Sequence, residues 1–164
     1  MFIARDEKGK HINALEKEPK KQDYYCPACG TSVRLRKGKN VRTHFAHTSI
    51  KQCDYYHENE SLEHLENKVV IFNWAQNEAL AEMEYPIQEL KQIADILINN
   101  QLAIEVQCSP LSSKLLQERS NGYRNSGIQV LWLVGEKLWL KERLTKLQRD
   151  FLYFSNNMGF HLWE

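Results

Sequence analysis

Ala94-Asp95-Ile96-Leu97-Ile98, then Asn99-Asn100-Gln101, then Leu102-Ala103-Ile104-Glu105-Val106-Gln107, is the stretch that decides the fold. Two runs rich in β-branched residues, Gln92–Ile98 and 102–108, flank a segment that reads as a tight turn. On a strand alternate side chains share a face, so Glu105 and Gln107 point together, away from Ile104, Val106 and Cys108. A hairpin that turns symmetrically about Asn100 sets Asp95 directly opposite Glu105, with Cβ atoms about 5 Å apart. Two carboxylates that close repel each other and favour a hard divalent cation. Magnesium takes oxygen ligands at about 2.1 Å and keeps waters and substrate phosphates around it, an arrangement suited to phosphodiester cleavage. An Asp and a Glu on neighbouring strands more often mark a solvated face. Here both segments are otherwise strongly apolar, so the acids interrupt buried or half-buried strands.

Upstream, the pattern over 61–79 is helical, with Leu62, Leu65, Val69 and Phe72 recurring every three to four residues. Glu60, His64 and Lys68 fall at i, i+4 and i+8 and form a stripe beside the apolar one. The stripe is either an ion-paired solvent face or a third contributor to the acidic site. Downstream, Ser109-Pro110 opens a helix, with Ser as N-cap and Pro at its first position. That helix runs to about residue 124 and Gly127 stops it. The apolar run 128–134 reads as a buried strand. Residues 136–154 read as a last amphipathic helix, with Leu140, Leu144, Leu147 and Phe151 on one face. Helix, three strands, helix, strand, helix over 55–164 make an α/β (α+β) domain, a mixed sheet flanked by helices.

Residues 1–54 read differently. They form a small β-rich module with little core of its own, around Cys26-Pro27-Ala28-Cys29-Gly30, Val33-Arg34-Leu35-Arg36 and Thr43-His44-Phe45-Ala46-His47. The gap between Cys26 and Cys29 lets both sulfurs meet one ion, and His44 and His47 complete a closed tetrahedral zinc site. Cys53 or His57 is close enough to replace one histidine. A metal-free vestige and a redox Cys-x-x-Cys are the alternatives; zinc leads because so small a module needs a staple. Its role is structural. The spacing departs from the two-Cys, two-His DNA-binding finger, so a zinc-ribbon-like module without a groove-reading helix is expected.

The length, 164 residues, allows one ordinary core and a small satellite. With 42% hydrophobic and 26% charged residues the chain is globular, not disordered. No apolar stretch reaches the roughly 20 residues of a membrane span. Arg5 and Asp6 interrupt any signal-peptide core, so the expected location is the cytoplasm. The net charge of +1 hides an asymmetry: residues 1–54 carry 12 Lys/Arg against 6 Asp/Glu, residues 55–164 carry 10 against 15. A basic front end suits a polyanion such as nucleic acid, and equally suits solubility.

Taken in order, Cys-Pro-x-Cys, His-Phe-Ala-His, Glu60-Ser-x-x-His64-x-x-x-Lys68, Ala-Asp95-Ile-Leu, Ile-Glu105-Val-Gln107-Cys-Ser and Glu118-Arg119…Gly122-Tyr123 resemble the competence protein CoiA family. The likeness runs over nearly the whole chain, and the ordered set is far more specific than any one motif. That family is assigned to the PD-(D/E)xK nuclease superfamily, whose restriction-endonuclease-like fold is therefore implied. The resemblance also implies DNA, single-stranded or processed, as substrate, Mg²⁺ or Mn²⁺ as catalytic ion, and recombination proteins as partners. Asp95 resembles the motif Asp and Glu105 its central acid; Glu60 resembles an extra acid from the first core helix. His64 and Lys68 line the site by the same likeness. Arg119 and Tyr123 follow on the next helix, where Arg119 holds a phosphate or makes a structural ion pair. Gln107 stands where most superfamily members have Lys. An amide orients water or binds phosphate but carries no charge and is no base. The implied activity is a metal-dependent DNA nuclease acting on incoming DNA; a non-catalytic DNA-binding adaptor is the alternative that Gln107 favours.

Overall fold

A computed structural model describes residues 1–39, 41–49, 53–55 and 60–163. The first sheet is antiparallel and holds β1 (Ile3–Asp6), β2 (His11–Asn13), β3 (Tyr24–Tyr25), β4 (Ser32–Gly38) and β5 (Val41–His47), in the order β2-β1-β3-β4-β5. Next come α1 (Leu62–Glu78), β6 (Ala81–Ile87), β7 (Gln92–Ile98), β8 (Leu102–Gln107), α2 (Ser113–Asn125) and β9 (Gln129–Val134). Strands β6-β7-β8-β9 form the second sheet, with β8 and β9 parallel and the other pairs antiparallel. Parallel neighbours need a long crossover, and α2 supplies it. A short α3 (Lys146–Asp150) and a hairpin of β10 (Tyr153–Ser155) and β11 (Gly159–His161) end the chain. The fold is thus α+β, with a mixed sheet flanked by helices and a β-rich region ahead of it.

The β7–β8 turn has the expected symmetry. Ile96 pairs with Ile104, Leu97 with Ala103 and Ile98 with Leu102. Asn99 and Asn100 sit at φ 51° and 55°, the positive values a tight hairpin turn needs and Asn tolerates. Both faces of this hairpin are covered, which explains its apolar sequence. Ile96 and Ile104 pack against Leu65, Val69, Phe72 and Ala75 of α1. Leu97 and Ala103 pack against Tyr123 of α2.

Three expectations are corrected. The β-rich region has a core of its own, in which Met1, Ala4, Tyr24, Cys26, Val33 and Phe45 are buried together. Phe2, fully buried, crosses into the α1 cluster and joins the two cores. The helix after β8 begins at Ser113, capped by the Ser112 hydroxyl, and not at Ser109-Pro110. The long helix over 136–154 does not form; Leu140 and Leu144 are 44% and 42% exposed. Thr145 and Gln148 make a capping box that starts a helix at Lys146 instead. The Gln148 amide also donates to Leu138 O (3.2 Å) and Trp139 O (2.6 Å), which holds the preceding chain in a non-helical path. No helix among the described residues is long and apolar enough to cross a membrane.

Candidate functional site

Two clusters of metal-capable side chains lie close to each other. The first is built on the Cys26–Gly30 turn. Gly30, at φ 73°, closes it by donating to Cys26 O at 3.0 Å. Ligand atoms of Cys26, Cys29, His47 and Cys53 all lie within 4.8 Å of one another. Ligands around a zinc ion bound at about 2.0–2.3 Å sit somewhat closer than that, so a small contraction suffices. Burial pushes the Cys26 thiol up to about 11 and the Cys53 thiol up to about 12. Burial also acts to raise Cys29, but hydrogen bonds from Thr31 and the other two thiols outweigh it and lower the thiol. Three thiols share one favoured negative charge, and a bound dication would allow the rest to ionise. This Cys3His group could hold a metal.

His44, expected as a ligand, is not in the group, and Cys53 fills the fourth place. The reason is strand periodicity. His44 and His47 are three residues apart on β5, so their side chains leave opposite faces. His47 pairs across from Val33, on the buried side, while His44 pairs with Arg36 and its Nδ1 lies 2.8 Å from Arg42 O. His57 lies outside the described residues.

The second cluster forms where α1 crosses the sheet. The helical stripe proves buried: His64 is 8% exposed and Lys68 is 1% exposed. Ser61 caps α1, and Glu60 just before it turns back to ion-pair with Lys68. The Lys68 ammonium also meets Glu84 at 2.6 Å and Asp95 at 3.5 Å. His64 Nε2 lies 3.1 Å from Asp95 Oδ2, which accepts the Val106 N–H at 2.9 Å. Glu60, His64 and Asp95 present ligand atoms within 4.8 Å of one another. Burial opposes ionisation of Asp95, but the His64 and Lys68 charges hold its carboxyl down at about 2. Against the same penalty, Lys68 and the α-ammonium keep Glu60 well below the usual carboxylate range. Asp95 raises His64 despite burial.

Glu105 is not in that second group. It continues the hairpin register opposite Asp95, and both line one cavity of about 60 Å³. Its carboxylate, 2% exposed, is taken by the Arg119 guanidinium at 2.7 Å and by the Tyr123 hydroxyl. Burial, then repulsion from Asp95, pushes it up to about 7 although Arg119 opposes this. Arg119 stacks 4.9 Å over the Trp132 ring, so the ion pair describes it better than a waiting phosphate ligand. Gln107, 1% exposed, lines the cavity and donates its amide to Ser109 O at 2.7 Å.

Glu84 was missed in the sequence. It lies between the pairs Met83↔Ile96 and Tyr85↔Ala94, so Glu84, Asp95 and Glu105 form a row across three strands. Its φ of 53° is costly for a non-glycine residue in a strand. Its carboxylate accepts N–H groups from Phe2 (2.8 and 2.7 Å) and Ile3 (2.9 Å) as well as the Lys68 ammonium. The signal was the same as for Asp95, an acid interrupting an apolar strand at Met83-Glu84-Tyr85. Through Glu84 the first sheet is fastened over the cavity, and Met1, Ile3 and Pro27 form that wall.

Comparison with known proteins identifies a family. The family model for the nuclease-like domain of competence protein CoiA matches residues 60–164, and that for the CoiA N-terminal domain matches residues 7–56. Competence protein CoiA of Bacillus subtilis (strain 168) is 30% identical over 149 residues, covering 88% of this chain and 38% of that protein. The chain therefore spans well under half the length of that relative. No solved structure gives a significant match. The chain belongs to the competence protein CoiA family, with the family's N-terminal and nuclease-like domains in succession.

Proposed function

We propose that the chain is a divalent-metal-dependent deoxyribonuclease of the cytoplasm that processes DNA, single-stranded or already processed, taken up in competence. One observation carries the reading: the convergence of Glu60, His64 and Asp95, half-buried to buried, beside Lys68 in the lining of a small cavity. Oxygen donors with one imidazole suit Mg²⁺ or Mn²⁺. When bound, such an ion would lower the pKa of a water to give hydroxide and would screen the negative charge on the phosphoryl oxygens. Asp95, Glu60 and His64 would hold it, with Glu105 opposite Asp95 on the next strand. The cavity admits only ions, waters or one phosphate oxygen group, so the polymer lies outside and offers a phosphodiester at the mouth. Lys68 brings to the site the positive charge that Gln107 lacks, and the Gln107 amide orients water or phosphate. The Cys26, Cys29, His47 and Cys53 group binds zinc as a structural staple.

A second reading has its own support. The Lys68 ammonium already neutralises the carboxylates, as a metal ion would. A chain in which that arrangement is permanent would bind DNA without cutting it and serve recombination proteins as an adaptor. The two readings part in one assay: cleavage of labelled single- and double-stranded DNA with Mn²⁺ or Mg²⁺, wild type beside Asp95→Asn. Asn keeps an acceptor for the Val106 N–H, so the fold is expected to survive. Metal-dependent cutting that disappears in the variant supports the nuclease. Absence of cutting by a folded wild type that still binds DNA transfers the function to the adaptor.

A further inference from the structure

The strand periodicity that removes His44 from the thiol cluster places it on a surface of distinct character. Residues 32–48 contain five Lys/Arg and no Asp/Glu. On β4 and β5 the buried side carries Val33, Leu35 and Phe45. The outer side carries Arg34 and Arg36, which pair across with Ala46 and His44, and Arg42 two residues from His44. Arg34, Arg36 and Arg42 are exposed. Arg42 is held by Glu66 of α1 at 2.7 and 2.9 Å, whereas among the described residues Arg34 and Arg36 have no carboxylate partner. Among the described residues of β4 and β5 no large apolar side chain interrupts this face, as a membrane-inserting surface would require.

The ribbon also adjoins the cavity. Phe45 exchanges both backbone hydrogen bonds with Met1, at 2.7 and 3.1 Å, and Met1 lines the cavity. Glu66, which holds Arg42, lies on α1 about 200° around the helix from both His64 and Lys68, so that ion pair ties the ribbon to the outer side of the helix that carries the site.

We infer that the outer face of the β4–β5 ribbon, through Arg34 and Arg36, grips the sugar-phosphate backbone of the nucleic acid whose phosphodiester enters the cavity. This deepens the nuclease reading and rests on it for the identity of the polymer. Side chains two apart on a strand stand about 7 Å from each other. Two long guanidiniums at that spacing can reach separate phosphates, each bidentately. Contacts of this kind carry affinity without sequence preference.

The test measures anisotropy of labelled single- and double-stranded oligonucleotides against salt, without added Mg²⁺ or Mn²⁺, for wild type, Arg34→Gln/Arg36→Gln and Arg34→Lys/Arg36→Lys. Losing two phosphate contacts lowers the slope of log K against log salt by about 1.8 on duplex and about 1.4 on single strands. Between about 50 and 200 mM salt the wild type then loses about 12-fold more duplex affinity than the Gln pair. The Lys pair keeps the wild-type slope. An unchanged slope in the Gln pair overturns the inference. So does a wild type that binds no DNA, or whose DNA is displaced equally well by polyglutamate. Binding is read without cleavage, which keeps the two readings apart. A chain that cuts nothing yet shows the arginine-dependent slope overturns the nuclease alone. A chain that cuts DNA with the slope unchanged overturns the ribbon alone.

Discussion

Lys68→Met would remove a 1% exposed ammonium from among Glu60, Glu84 and Asp95. Methionine fills nearly the same volume, so the change is one of charge. Removing one partner of a buried ion pair costs about 3–5 kcal/mol, because the remaining charges stay buried without compensation. For a chain of this size that lowers Tm by about 6–20 °C. The same three carboxylates should then take a divalent cation in its place. At about 100 times its Kd, Mn²⁺ returns about 2.7 kcal/mol, and this gain should exceed that of the wild type, where the ammonium competes. The pH dependence follows from Asp95, held at about 2 against an ordinary 3.8. A depressed carboxyl contributes stability that is present above 3.8 and lost as pH falls toward 2. The variant lacks much of that contribution, so its deficit narrows as the pH falls through this window. Scanning calorimetry with and without Mn²⁺, at several pH values, reads all three effects. A variant that melts with the wild type, or whose melting ignores Mn²⁺, would falsify the reasoning.

Two further outcomes are expected. Cys53→Ala should lose bound zinc as fully as Cys29→Ala, while His44→Ala keeps it, measured as metal content after desalting; retention in the first and loss in the last would restore His44 as a ligand. Glu84→Gln should destabilise by about 1–3 kcal/mol and speed hydrogen exchange at the Phe2 and Ile3 amides, since the carboxylate that receives them and pairs with Lys68 is weakened. Unchanged exchange there would show that Phe2 burial alone seats the first sheet.

The parts legible in the sequence were those governed by local periodicity. The β7–β8 hairpin and its register follow from alternation about Asn100, and the core of α1 from the spacing of Leu65, Val69 and Phe72. The strand β9 follows from its largely apolar run, although it lies at the sheet edge and only Trp132 and Val134 on it are buried. His44 could also have been read correctly, because two histidines three apart on a strand cannot share a face. Where a local signal was overlooked, as with the Thr145–Gln148 capping box, a longer amphipathic pattern hid it.

By itself, then, the sequence determined α1, the β7–β8 hairpin and the strand that follows α2, whereas the strand order and the parallel pairing of β8 with β9 came from the structure. The sequence also determined which strands carry acids at Asp95 and Glu105, and the family to which the motifs belong. Tertiary structure alone decided how those acids are used. β6 must meet α1 before Glu84 reaches Lys68, and α2 must fold back before Arg119 and Tyr123 claim Glu105. Cys53 joins Cys26 and Cys29 only when distant chain returns to the turn, and Phe2 enters the α1 core only when the first sheet docks. Each of these contacts spans chain positions with no shared local pattern. Burial and charge pairing through space select them, and neither is written in the spacing of neighbouring residues.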